Sequence, residues 1–166
     1  MCKRARAGGG GWVMLRPPGL LPVGPRAVAA VPTRGGAPLY ISDYSNNRVV
    51  KLPAGGGPQI TVPATGLVRP TGMALDAAGD LYISDTGNNR VVKVPADGSG
   101  QTTVPTNGLN DPLGLALDAA GNLYIADNYN NRVVKVAADG GGQTTLPTNG
   151  LTGPTGLAIR PARPGW

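Results

Sequence analysis

The chain has 166 residues, enough for about one domain, and carries a formal net charge of +6 with no histidine and one cysteine. The missing histidine excludes enzymes that need an imidazole as metal ligand, general base or member of a Ser-His-Asp triad. The single cysteine excludes an intrachain disulfide.

The first segment, residues 1–24, contains four consecutive glycines, several prolines and no acidic residue. This composition opposes regular strands, so we predict a low-complexity basic tail that limited proteolysis removes while residues 39–159 stay intact. Its basic start and short apolar stretch resemble a signal peptide, but Arg16, Pro17 and Pro18 interrupt the stretch, and we predict no export by this segment. No run approaches the roughly 20 apolar residues of a membrane-spanning helix.

From residue 39 onward, the chain repeats one phrase three times. LYISDYSNNRVVKL at 39–52 returns with changes at 81–94 and 123–136, so that equivalent residues lie 42 positions apart. A fixed period between about 20 and 50 residues is typical of stacked repeat architectures, in which each unit buries its apolar faces on its neighbours.

Each repeat has the pattern of four short strands joined by turns. In the second repeat the strands are TGMALD at 71–76, LYISD at 81–85, RVVKV at 90–94 and QTTVP at 101–105. The sequence from Asp76 to Gly79 fits a type I turn, and two asparagines suit the tight connection before Arg90. Four-stranded sheets repeated at this spacing are the blades of a β-propeller, so the predicted fold class is all-β.

The predicted propeller segment covers residues 25–159, followed by a tail at 161–166. Its parts are a first blade at 25–63, a second at 70–105, a third at 112–147 and one extra strand at 154–160. The first strand of blade one would be PRAVAAV at 25–31, which matches PTGMALD only loosely. Propellers close with about four to eight blades, so we expect about three blades to be half a ring or part of a longer one.

The stretch GLALDAAGNLYIADNYNNRVVKV at 114–136 resembles the NHL repeat, whose signature is G-x-A-x-D, x-x-G, L/I-Y-V-A-D and N-x-R-V/I. The resemblance is close over 70–159, good over 39–63 and absent over 1–38. It is greatest for the NHL propeller that forms the extracellular sensor domain of a mycobacterial serine/threonine kinase. This resemblance implies a bacterial, six-bladed sensor or binding module at the cell surface. It does not imply a kinase, because the glycine-rich loop and its following strand lysine are absent.

The resemblance also raises an enzymatic alternative, since some NHL-like propellers are lyases with histidine-dependent sites. Without histidine, we predict no enzyme and no cofactor; a gene fragment without independent function remains a third possibility. One aspartate per blade, Asp43, Asp85 or Asp127, precedes each NNR sequence, and such a series of carboxylates raises the question of a calcium site. A calcium ion requires about 6–8 oxygens in one place. We therefore predict that these aspartates accept backbone N–H groups of their own turns or pair with Arg48, Arg90 and Arg132.

The copies differ most in the turn between the second and third strands and in the connection to the next blade, which leave the sheet on the same side. The candidate ligand-binding residues are therefore Tyr44, Ser45, Arg69, Thr86, Asn110, Asp111, Asn128 and Tyr129. Variable turns on a rigid scaffold often carry function, and polar turns with tyrosine suit a peptide, glycan or protein ligand. Neutral drift in exposed turns predicts the same variation.

The basic charge lies mainly outside the repeats. Residues 39–158 hold seven basic and nine acidic side chains, which argues against a nucleic-acid partner. We predict that Lys51, Lys93 and Lys135 are solvated residues on the outer part of each blade. The predicted assembly is a homodimer that completes a six-bladed ring, or further blades supplied by a longer chain.

Overall fold

The computed structural model describes residues 36–139 and 142–160, all within one compact unit. The two predicted tails, 1–24 and 161–166, and the predicted first strand at 25–31 lie outside the described residues.

The described residues form three antiparallel sheets, one per repeat, which confirms the all-β prediction. Blade one contains β1 (Leu39–Asp43), β2 (Arg48–Leu52) and β3 (Ile60–Thr61). Blade two contains β4 (Pro70–Leu75), β5 (Leu81–Asp85), β6 (Arg90–Val94) and β7 (Thr102–Thr103). Blade three contains β8 (Pro112–Leu117), β9 (Leu123–Asp127), β10 (Arg132–Val136) and β11 (Gln143–Thr145). The fourth strand of blade two is shorter than predicted, and its neighbours match the predicted strands to within a residue.

The predicted tight turns also form. The Gly79 N–H donates to the Asp76 carbonyl oxygen at 3.0 Å, and Gly79 has φ of 89°, where glycine has no steric penalty. The connection between the second and third strands of each blade is a single 3-10 turn rather than a two-residue hairpin. These turns are Tyr44–Asn46, Thr86–Asn88 and Asn128–Asn130.

The core lies between neighbouring blades, because their strands carry apolar side chains on both faces. Between blades one and two, the core includes Val49, Val62, Leu67, Leu81, Ile83, Val92 and Val94. Between blades two and three, it includes Val91, Val104, Leu109, Leu115, Leu123, Ile125, Val134 and Val136. Ile83 and Ile125 occupy equivalent positions and are both fully buried, so the same side of each repeat packs on the preceding blade.

Glycine allows the first strands of successive blades to approach closely. A methyl group placed on Gly72 would lie 2.0 Å from the Leu113 carbonyl oxygen, and one on Gly114 would lie 2.4 Å from the Thr155 carbonyl oxygen. A side chain at either position would require the backbone of the next repeat to move.

The predicted extra strand at 154–160 does not form, and residues 154–160 have no regular secondary structure. A strand requires a neighbour to hydrogen-bond with, and no strand of the described residues pairs with this segment. Its position nevertheless follows the repeat. The Asn128 side-chain amide donates to the Pro154 carbonyl oxygen at 3.2 Å, as the Thr86 hydroxyl donates to the Pro112 carbonyl oxygen at 2.7 Å. The segment therefore lies where the first strand of a fourth blade would begin.

Candidate binding surface

One buried aspartate fixes the 3-10 turn of blade two. Asp85 Oδ2 accepts hydrogen bonds from Arg90 Nε at 2.7 Å and Asn88 Nδ2 at 2.8 Å. Asp85 Oδ1 accepts the Val68 N–H at 2.6 Å, from the connection that arrives from blade one. Because the carboxylate is fully buried and has three donors, it holds both its own turn and the incoming connection.

The asparagine that ends the turn holds the outgoing connection. Asn89 has φ of 54°, a left-handed conformation that asparagine tolerates better than most residues. Its N–H donates to the Thr86 carbonyl oxygen at 3.1 Å and closes the turn. Its Oδ1 accepts the Asp111 N–H at 2.8 Å, from the connection to blade three. The backbone of Asn89 thus closes the turn, and its side chain holds the connection to blade three.

The same arrangement recurs in blade three. Asp127, also fully buried, accepts Arg132 Nε at 2.6 Å, Asn130 Nδ2 at 2.8 Å and the Asn110 N–H at 2.7 Å. Asn131 Oδ1 accepts a backbone N–H of the following connection at 2.8 Å. The prediction that these aspartates pair with arginine is confirmed. The backbone N–H that each accepts belongs to the incoming connection, however, and not to its own turn.

Blade one has a more open version of this centre. Arg48 Nε lies 2.8 Å from Asp43 Oδ2, and the Asp43 side chain is 25% exposed. Arg48, and to a lesser extent Asn46, hold the pKa of the Asp43 carboxyl below its ordinary value. Among the described residues, no group of three acidic, cysteine or histidine side chains is placed to bind a metal ion.

Hydrogen bonds place the turns beside the inter-blade connections. The Gly87 N–H donates to the Val68 carbonyl oxygen at 2.8 Å, and the Tyr129 N–H donates to the Asn110 carbonyl oxygen at 3.2 Å. We call this surface the turn face. It consists of the turns at 44–47, 86–89 and 128–131 and the connections at 64–69, 106–111 and 148–153.

Most predicted ligand-binding residues are accessible on the turn face. Tyr44 and Tyr129 have 46% and 68% of their surface exposed. Ser45, Arg69 and Asn110 are also exposed, and Asp111 and Asn128 are half-buried. Arg69, Asp111 and Gly153 occupy equivalent left-handed positions, with φ of 50°, 55° and 55°, so the charge on this face changes from blade to blade.

Thr86 is not accessible, which corrects one of the predicted site residues. It is 4% exposed, and its hydroxyl is bonded to the Pro112 carbonyl oxygen and lies 2.7 Å from the Thr71 hydroxyl. Gly87 is equally constrained, since a methyl group there would lie 2.5 Å from a Val68 side-chain methyl. The turn of blade two is therefore packed, whereas those of blades one and three present tyrosines.

The lysine on the third strand of each blade lies over the ring of the tyrosine opposite it on the second strand. Lys51, Lys93 and Lys135 are 5.4, 5.2 and 6.0 Å from the ring centres of Tyr40, Tyr82 and Tyr124. Lys93 also pairs with Asp80 at 2.8 Å, and this contact raises the pKa of its ammonium group. Lys93 keeps 31% of its side chain exposed, so it is partly solvated as predicted, but its aspartate partner was not apparent from the linear spacing.

A cleft of about 480 Å³ lies between the outer strands of blades two and three. Two of its polar side chains already have protein partners. Lys93 pairs with Asp80, and Gln143 exchanges hydrogen bonds of 2.8 and 2.9 Å with the backbone of Asn107. The first contact lies within blade two, and the second joins β11 of blade three to the connection that arrives from blade two, which favours a structural role for the cleft.

Part of the chain matches a known protein-family model. The NHL repeat model matches residues 67–94 and 109–136. Each match starts in an inter-blade connection and ends in the third strand, so it contains the complete hydrogen-bonded centre around Asp85 or Asp127. The match does not extend to residues 39–63, where the resemblance was also expected. A comparison with curated protein sequences gives no match.

Solved structures share the propeller fold. A chain in the crystal structure of a nidogen/laminin complex is 27% identical, with a TM-score of 0.64 over 77% of this chain and 49% of that one. A streptogramin B lyase is 23% identical, with a TM-score of 0.54 over 70% and 40%. A catalytically inactive virginiamycin B lyase from Staphylococcus aureus, with quinupristin, is 21% identical, with a TM-score of 0.52 over 68% and 39%. The chain thus spans less than half of each similar chain and is a partial β-propeller. The expected kinship with a mycobacterial kinase sensor stays a prediction.

No helix among the described residues is both long enough and apolar enough to cross a membrane.

Proposed function

We propose that this NHL-repeat chain is a non-catalytic binding or sensor module, whose turn face contacts a peptide, a glycan or a protein surface. The observation that carries the proposal is a contrast within the turns of blades one and three. The Asp, Asn and Arg side chains are engaged in holding the turns, while Tyr44 and Tyr129 stay 46% and 68% exposed. Tyrosine offers a large amphipathic contact surface with few torsions to order.

The similar chain from the nidogen/laminin complex adds support for a protein ligand, because that structure is a complex of proteins. The proposal also includes the finer predictions of the sequence: a bacterial sensor at the cell surface, associated with a serine/threonine kinase, and no nucleic-acid partner. Its assembly would be a homodimer that completes a six-bladed ring, or further blades in a longer chain.

A lyase is the second candidate, because two of the similar structures are lyases. The chain contains no histidine, and both fully buried aspartates, Asp85 and Asp127, pair with arginine. Each of these carboxylates is fully buried and accepts three hydrogen bonds from the protein, so neither is placed to take a proton from a bound substrate. We therefore favour binding over catalysis.

Replacement of Tyr44 and Tyr129 by alanine tests the proposal. Binders would first be selected against the wild-type chain from a displayed library of random peptides and from a glycan array. We expect the Tyr44→Ala/Tyr129→Ala variant to lose at least about tenfold in affinity for them, because central aromatic contacts often dominate binding. Its melting temperature should change by only a few degrees, since both side chains are exposed.

The matched control is Ile60→Ala, which removes an apolar side chain that is 53% exposed on β3, outside the turn face. This variant should bind like the wild type. Unchanged binding by the double tyrosine variant, or an equal loss in the Ile60→Ala control, would exclude the turn face as the binding surface.

A further inference from the structure

One side of blade one is more exposed than the equivalent sides of the other two blades. Leu39 and Ile41 are 57% and 39% exposed, although the equivalent residues of the other blades are almost fully buried. Those equivalents are Leu81 at 3%, Ile83 at 0%, Leu123 at 2% and Ile125 at 0%. In blades two and three this side packs on the preceding blade. Blade one therefore presents an apolar side prepared for a preceding blade.

The opposite side of blade three is also less covered than its equivalents. Val62 and Val104 are 7% and 8% exposed, whereas the equivalent Leu146 is half-buried. Leu67 and Leu109 are 5% and 7% exposed, whereas Leu151 is half-buried. Blade three thus exposes the side that packs on the next blade, and blade one exposes the side that packs on a preceding blade. The two sides are the kind that meet between blades one and two and between blades two and three.

The strands show the same complementarity. In the complete blades β5 lies between β4 and β6, but β1 pairs only with β2 among the described strands. Residues 154–159, PTGLAI, match the first-strand sequence PTGMAL of blade two, and they occupy a first-strand position without a sheet. Among the described residues, blade one lacks a first strand, and the first-strand segment at 154–159 lacks a blade.

We propose that two copies of this chain close into one ring, with residues 154–159 of each copy forming the first strand of blade one in the other. The repeat dictates the register. Met73 pairs with Ile83 and Leu115 with Ile125, so Leu157 of one copy pairs with Ile41 of the second copy. By the same shift, Ala158 pairs with Tyr40 and Ile159 with Leu39. The inference is independent of the ligand proposed for the turn face.

A second copy fits this place better than residues 25–31 of the same chain. Gly72 and Gly114 allow the backbone of the next first strand to approach within van der Waals distance. Gly156 preserves this feature, whereas PRAVAAV at 25–31 contains no glycine. Two copies supply six blades, which lies within the range of closed propellers, and the chain covers 39–49% of the similar structures.

Gly156 gives a test that separates pairing from folding. At present a methyl group on Gly156 would meet no atom within 4 Å. In the proposed ring it would meet the Thr71 carbonyl oxygen of the second copy, by analogy with Gly72 and Leu113. We expect Gly156→Ala to raise the dimer dissociation constant at least tenfold in sedimentation equilibrium, with an unchanged circular dichroism spectrum. Gly55→Ala, also in open space, is the control and should leave dimerisation unchanged.

Disulfide formation between copies tests the register. In a Cys2→Ser background, one chain would carry Ile41→Cys and the other Leu157→Cys, and the two would be mixed and oxidised. We expect a covalent dimer of twice 16.7 kDa, because directly opposite residues lie within disulfide distance. A mixture of Ile41→Cys and Ala158→Cys chains should give much less covalent dimer, since successive side chains along a strand point to opposite faces of the sheet.

Three results would overturn the proposal. The first is a wild-type chain that sediments as a folded 16.7 kDa monomer at micromolar concentration. The second is equal crosslinking of the matched and mismatched mixtures, or none in either. The third is an intrachain disulfide in a Val28→Cys/Ile41→Cys chain, which would show that the chain's own residues fill the place.

Discussion

Asp85 and Asp127 are the residues on which the turn face depends most, because each fully buried carboxylate satisfies three donors from two segments. Such a centre explains why the NNR sequence recurs without change while the residues before it vary. The invariant part holds backbone segments together, and the variable part faces solvent or packs locally.

Asp85→Ala should destabilise the chain strongly. Its removal leaves the Arg90 guanidinium, the Asn88 amide and the Val68 N–H without their acceptor, and each donor that water cannot reach costs about 1–3 kcal/mol when left unsatisfied. Asp43→Ala is the matched control. Asp43 is 25% exposed, so water can replace it, and its loss should lower the free energy of unfolding clearly less. Urea denaturation measures both, and equal losses would contradict a special role for the buried centre.

At the scale of elements, the first strands of the blades are placed by their glycines. Gly72 faces the backbone of β8, and a methyl group added to it would lie 2.0 Å from the Leu113 carbonyl oxygen. This contact is with main-chain atoms, which cannot rotate away as a long side chain can. The glycine therefore sets how closely blades two and three approach.

Gly72→Ala should lower the free energy of unfolding by about 3 kcal/mol, the upper part of the usual range for overpacking. Gly55→Ala has open space around it, and it should change stability by less than about 1 kcal/mol. Thermal and urea unfolding would compare the two variants with the wild type. A Gly72→Ala chain as stable as the Gly55→Ala chain would refute the close-approach explanation.

At the scale of the whole molecule, the directions of the pKa shifts predict that the stability of the fold changes little over a broad range of pH. The pKa values of Asp43, Asp80 and Asp118 are lowered, chiefly by hydrogen bonds from Arg48, Lys93 and Asn122 respectively. A lowered carboxyl pKa stabilises the fold above the unfolded value and loses this effect as the pH falls through the folded pKa. The pKa values of Lys93 and Tyr124 are raised by Asp80 and Asp118, so their contributions are present at neutral pH and are lost only at alkaline pH.

We therefore expect the melting temperature to be nearly constant from about pH 5 to 8 and to fall below about pH 4. The chain has no histidine, the side chain that usually titrates within this window. Thermal unfolding in buffers of matched ionic strength would measure the profile. Asp80→Asn should reduce the acid dependence, because blade three already has Asn122 at the equivalent position. A stability transition centred near pH 6.5 would contradict the expectation.

The sequence by itself determined the features that depend on local chemistry. The 42-residue period, the strand cores and the Asp76 to Gly79 turn follow from side-chain alternation and turn preferences, which act over a few residues. The Asp–Arg pairs could be predicted for the same reason, since Asp85 and Arg90 stand opposite each other on adjacent strands. The repeat thus encodes both the blade and the centre that holds it.

Only the tertiary structure decided which turn residues are accessible. Thr86 and Tyr129 belong to the same variable turns, yet Thr86 is buried because its hydroxyl reaches the Pro112 carbonyl oxygen of the next blade. The missing strand at 154–160 likewise reflects the lack of a pairing strand among the described residues, whereas the acidic partners of Lys93 lie at the turn between β4 and β5 of its own blade. Burial and pairing depend on what another blade places nearby, and that information is distributed over residues far apart in the chain.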